Sequence, residues 1–109
     1  MIRVVIEKRD GYINGFKLSG HAGYDDYGKD IICSAMSMLA INTANSLEML
    51  AGESPDVSQD EEDGFLAVGF DHRPNAQAEL LLQSFELGVQ GVIDQYGNEF
   101  VSLVYETSE

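Results

Sequence analysis

Ile2-Arg3-Val4-Val5-Ile6-Glu7-Lys8-Arg9-Asp10-Gly11-Tyr12-Ile13-Asn14-Gly15-Phe16-Lys17-Leu18-Ser19 opens the chain and decides its fold class. Ile2, Val4 and Ile6 alternate with Arg3, Val5 and Glu7, the period-two pattern of a strand with one wetter face. Asp10-Gly11 supplies the residues of a tight hairpin turn, because glycine tolerates positive φ. Tyr12 to Ser19 then reads as the return strand. Two strands joined directly break any strict strand-helix alternation, which points to a mixed or mostly antiparallel sheet.

Outward from the hairpin, Ile32, Met36, Leu39, Thr43, Leu47 and Leu50 recur every three or four residues and predict an amphipathic helix over Ile31 to Ala51, about six turns long. Asp30 is placed to cap its start and Gly52 to stop it. Pro55 to Gln59 and Phe65 to Phe70 read as two strands joined by Asp60-Glu61-Glu62-Asp63-Gly64, whose acids suit a solvated hairpin tip. Pro74 suits the first turn of a second helix, on which Ala78, Leu81, Phe85, Val89, Val92 and Tyr96 keep helical spacing until Gly97. Gly88 and Gly91 inside it imply the close approach of another element. Phe100 to Tyr105 reads as a fifth strand. The expected fold is α+β, a mixed, mostly antiparallel five-stranded sheet with two packed helices in the order β-β-α-β-β-α-β. Its 109 residues suffice for one domain spanning 1–109.

Nineteen acidic side chains against six basic ones leave a formal charge of −13. Such a surface repels phosphate backbones and excludes direct nucleic-acid binding; it favours a basic polypeptide partner. The single cysteine forms no internal disulfide, as expected in a reducing compartment such as the cytoplasm. The charged, alternating N-terminus resembles neither a signal peptide nor a membrane anchor.

Gly20 to Lys29 has no periodicity and is unusually equipped, with three glycines, two tyrosines, a histidine and two aspartates. With Asp30 as cap, Cys33 falls in the first helical turn, where free backbone N–H groups and the helix dipole favour a thiolate and an oxyanion. The loop returns the chain from His21 to that helix and can bring imidazole beside sulfur, the minimum for thiol nucleophilic catalysis. On the residues alone each member keeps a plainer reading: Cys33 as a small buried hydrophobe, His21 as a loop histidine on a backbone carbonyl, Asp30 as a cap, Ser37 as structural. Gly23 and Gly28 bracket Tyr24 to Tyr27 as hinges of a flap. The spacing of His21, Asp25, Asp26 and Cys33 fits no structural zinc site, and Asp60 to Asp63 no calcium loop. No motif requires a metal or a cofactor. Asp71-His72-Arg73 reads as a polar connection.

The block Gly20-His21-Ala22-Gly23-Tyr24, then Tyr27-Gly28-Lys29-Asp30-Ile31-Ile32-Cys33, then Ala35 and Ser37, resembles the Prp (YsxB-like) family of ribosomal-processing cysteine proteases. That resemblance implies a compact, homodimeric bacterial cysteine endopeptidase of the cytoplasm, which removes the short N-terminal extension of a basic substrate, protein twenty-seven of the large ribosomal subunit. It implies Cys33 as nucleophile and His21 as general base and acid. Asp30 and Ser37 fall on the positions flanking that dyad, and Gly20, Gly23, Tyr24, Tyr27 and Gly28 belong to its substrate loop. Ser34 and Met36 depart from the family pattern without touching the dyad. The competing reading is a non-catalytic acidic module that docks on a ribosomal protein or assembly factor, with Cys33 inert in the core.

Overall fold

A computed structural model describes residues 1–20 and 27–108, and the side chains of all of these except 27–30. Its elements run β1 (Ile2–Arg9), β2 (Tyr12–Ser19), α1 (Tyr27–Met49), β3 (Asp56–Asp60), β4 (Phe65–Gly69), α2 (Ala76–Tyr96) and β5 (Val101–Ser108). This is the expected α+β order. The strands lie side by side as β3-β4-β2-β1-β5. All neighbours are antiparallel except β1 and β5, which pair in parallel. A parallel neighbour needs a long crossover, and α2 provides it.

The β1-β2 turn has Asp10 at φ 51° and Gly11 at φ 85°, the left-handed pair that a two-residue hairpin requires. Ile2, Val4 and Ile6 meet Phe16, Leu18, Leu66, Val68 and Val101 on one face of the sheet, and both helices bury their apolar stripes there. From α1 come Ile32, Met36, Ala40 and Leu47; from α2 come Ala78, Leu82, Phe85 and Val89. Phe16 and Phe85 stack at 4.1 Å between ring centres, fixing α2 over β2. Thr43, the polar member of the α1 stripe, is buried because its hydroxyl donates to the Leu39 carbonyl at 2.7 Å. Gly88 meets its expectation: a Cβ there would stand 2.8 Å from Leu39 Cδ2, so it lets the two helices approach. Gly91 does not, since nothing lies within 4 Å of its would-be Cβ.

Other boundaries shift. Leu50 and Ala51 fall beyond α1, and Leu50 is exposed. Pro74 precedes the cap of α2, a job done by Asn75, whose side chain accepts from the Ala78 amide. Tyr96 ends the α2 stripe exposed rather than in the core. The larger correction concerns α1, which begins at Tyr27 and makes Asp30 its fourth residue instead of its cap. Among the described residues, no helix is long and apolar enough to cross a membrane.

Candidate active site

Cys33 sits on α1 facing the end of the sheet, half-buried and packed against the core. It also lines a cavity of about 240 Å³. Ser37 lines the same cavity one turn later, followed on α1 by Ala40 and Ile41. Ile2, Leu18 and Leu66 make its apolar floor. Gly20 closes one side at the end of β2. Its φ is 98°, and a Cβ there would strike the Met1 carbonyl oxygen, so both conformation and space demand glycine.

The cavity therefore unites Cys33, Ser37 and Gly20 from the residues expected at the site. His21, Gly23 and Tyr24 lie outside the described residues, as do the side chains of Tyr27 and Asp30. The early start of α1 also revises the electrostatics expected for the thiol. The free N–H groups of a helix are its first four, here those of residues 27–30, and the dipole's influence fades within the first turn. Cys33 is the seventh helical residue. The helix start therefore supplies neither a thiolate-stabilising field nor oxyanion donors at this sulfur.

The β3-β4 hairpin contributes what sequence reasoning missed. Gln59, Asp60, Glu61 and Phe65 line the same cavity, so the acidic turn is a wall of the site as well as a solvated tip. Asp60 Oδ1 accepts from the amides of Glu62 and Asp63 at 3.1 and 3.3 Å, which fixes the turn locally. Nothing in sequence spacing links residue 33 to residue 60. The link comes from sheet order, which sets β4 beside β2.

The described histidine, His72, belongs to a different junction. His72 Nδ1 lies 2.8 Å from Asp71 Oδ1 and Nε2 lies 3.1 Å from Glu53 Oε1. Glu53 also accepts from the Asn75 amide, and Asn75 Nδ2 donates to the Ala51 carbonyl. Hydrogen bonds to Asp71 and then Glu53 raise the His72 pKa above its ordinary 6.5. The Asn75 amide and then His72 lower that of Glu53. These bonds tie the end of α1 to the start of α2, so the expected polar connection is a clasp. Among the described residues, no group of three or more His, Cys, Asp or Glu side chains is placed to hold a metal ion.

The cavity thus brings a half-buried thiol and a hydroxyl together over an apolar floor. The family model described as cysteine protease Prp matches residues 1–101. The ribosomal processing cysteine protease Prp of Staphylococcus aureus is 31% identical over 107 residues, covering 97% of this chain and 100% of that one. The crystal structure of SMU.848 from Streptococcus mutans superposes with a TM-score of 0.89 at 32% identity, covering 99% of this chain and 96% of that one. A crystal structure of S. aureus Prp with a covalently linked product peptide matches with a TM-score of 0.85 at 31% identity, covering 97% and 100%. Sequence and fold agree over almost the full length, and the chain belongs to the cysteine protease Prp family as a cysteine endopeptidase.

Proposed function

We propose that this protease removes the N-terminal extension of protein twenty-seven of the large ribosomal subunit in the cytoplasm, with Cys33 as nucleophile and His21 as general base and acid. The observation that carries the reading is the cavity that exposes Cys33 beside Gly20, the residue bonded to His21. The S. aureus relative solved with a covalently linked product peptide supports peptide binding and cleavage by this fold.

In this mechanism His21 takes the thiol proton and Cys33 Sγ attacks the scissile carbonyl. The tetrahedral adduct collapses to a thioester while His21 returns the proton to the leaving amine. Water, deprotonated by the same imidazole, then hydrolyses the thioester and frees the thiol. Because Cys33 lies beyond the first turn of α1, its activation rests on His21 rather than on the helix dipole. Ser37 is a polar wall beside the sulfur, and Asp30 a support for the dyad. Gly20, Gly23 and Tyr24 are the substrate-loop residues, whereas Tyr27 and Gly28, expected in that loop, belong to the first turn of α1. Ile2, Leu18 and Leu66 suit an apolar side chain next to the scissile bond. A basic ribosomal protein is steered toward a chain of charge −13. A homodimer has room for its interface on the exposed α1 side chains Ile31 and Met38.

The test incubates the chain with the extended ribosomal protein and weighs the products. One new species lacking the extension is expected, and none with Cys33→Ala or His21→Ala. An uncut substrate, or cleavage that survives either substitution, overturns the reading.

A further inference from the structure

The sheet ends at β3, and no other described strand covers it. The register settles which of its main-chain groups face outward. The Phe70 amide donates to the Asn14 carbonyl at 3.0 Å, which makes those two a hydrogen-bonded pair between β4 and β2. Bonded and non-bonded pairs alternate along an antiparallel ladder. Val68 and Leu66 therefore bond toward β2, while Phe65, Ala67 and Gly69 bond toward β3. Their partners there are Asp60, Ser58 and Asp56. Val57 and Gln59 are left with N–H and C=O directed off the open edge.

We propose that the substrate docks as a sixth strand on β3, pairing its main chain with Val57 and Gln59 and leading a side chain into the Cys33 cavity. This deepens the protease reading of the cavity and rests on it. Continuity comes first, since Gln59 is both an outward-bonding residue and part of the cavity wall. The face is also correct. Gln59, Leu66 and Leu18 lie opposite one another across the sheet, and the last two belong to the helix-covered core. Every second side chain of an added strand emerges on that same face, about 7 Å apart, and Gln59, Leu66 and Leu18 on that face all line the cavity.

Charge selects the occupant. Residues 53–64 carry six acidic side chains and no basic one, whereas Val57 and Gln59 themselves are uncharged. The edge repels a second copy of this acidic chain and accepts a basic extended peptide, in the manner of strand addition.

The experiment reads binding by fluorescence anisotropy on the Cys33→Ala chain. The probe is a labelled peptide spanning the extension junction of ribosomal protein twenty-seven, N-methylated at one amide at a time. Weakening at every second amide is expected, by about tenfold at each bonded position. Gln59→Pro, which deletes one outward N–H and no ladder bond, weakens the unmethylated peptide by a similar factor. Loss without a two-residue period, or no loss, overturns strand addition even where the wild-type chain cleaves the peptide. Periodic loss with no cleavage by the wild-type chain leaves the strand site standing and removes the assignment of this ribosomal protein as the substrate. Should Gln59→Pro fail to fold, the peptide series on the unaltered edge decides alone.

Discussion

The two ends of α1 treat similar chemical groups in opposite ways. Toward its start, Cys33 and Ser37 look into open space, with walls contributed by the ends of β2, β3 and β4. Just past its other end, Glu53, His72 and Asn75 hydrogen-bond to one another, with no nucleophile among them and the imidazole half in solvent. The described histidine with the raised pKa lies at the second place and not the first. Perturbed titration marks functional sites and structural ion pairs alike. What separates the two ends is space beside a nucleophile, and the comparison predicts that one end governs cleavage while the other governs stability.

Cys33→Ala strikes that comparison hardest. Cleavage of the extended ribosomal protein falls by a factor of about 1000 or more, as for loss of an attacking group, while the melting temperature stays near wild type because only a half-buried sulfur is removed. Mass spectrometry and thermal denaturation on the same samples read both halves. Gly20→Ala comes next and blurs the division on purpose. An alanine must hold φ near 98° and collide with Met1, so stability drops by about 2 kcal/mol or more. Cleavage drops as well, since Gly20 is a cavity wall. Unchanged melting would remove the argument that this turn requires glycine.

Asn75→Ala probes the clasp. It deletes the α2 cap and the bond to the Ala51 carbonyl, a loss of about 1–2 kcal/mol. The melting temperature then falls by roughly 5–10 °C. At temperatures where the variant is folded, cleavage matches wild type. A cleavage loss larger than the folded fraction explains would join the two ends into one functional unit.

The sequence made the five strands, two helices and their order legible because each element carries its own local signal: alternation in β1, Asp10-Gly11 in the turn, three-four spacing in α1 and α2. The start of α1 was misread for a local reason too. Asp30 has good cap chemistry, but a capping residue competes with any upstream turn that the fold holds helical, and α1 runs back to Tyr27. Cys33 and Ser37 were legible as a pair because one helical turn separates them. Gln59, Asp60 and Glu61 were not, since their place beside Cys33 depends on pairings between residues about fifty apart. The clasp was half legible. Asp71-His72-Arg73 reads as a polar connection, yet Glu53 becomes its partner only when the two helices share a face.

The smallest effect is a pH dependence confined to the clasp. His72 has a raised pKa, through Asp71 first and Glu53 second. Its stabilising contribution is therefore complete below the unfolded value of 6.5 and disappears as pH rises through the raised folded value. Glu53 has a lowered pKa, so its contribution is complete above 4.5 and disappears as pH falls through the lowered value. Both hold in the window between 4.5 and 6.5. The melting-temperature gap between wild type and His72→Gln is widest in that window and narrows above it, by a small amount because the imidazole is largely in solvent. The pH profile of cleavage, in contrast, is the same in both chains, because His72 touches no residue of the Cys33 cavity. A shifted cleavage profile in His72→Gln would mean that the two ends of α1 are coupled, and that the titrating clasp regulates the reactive end.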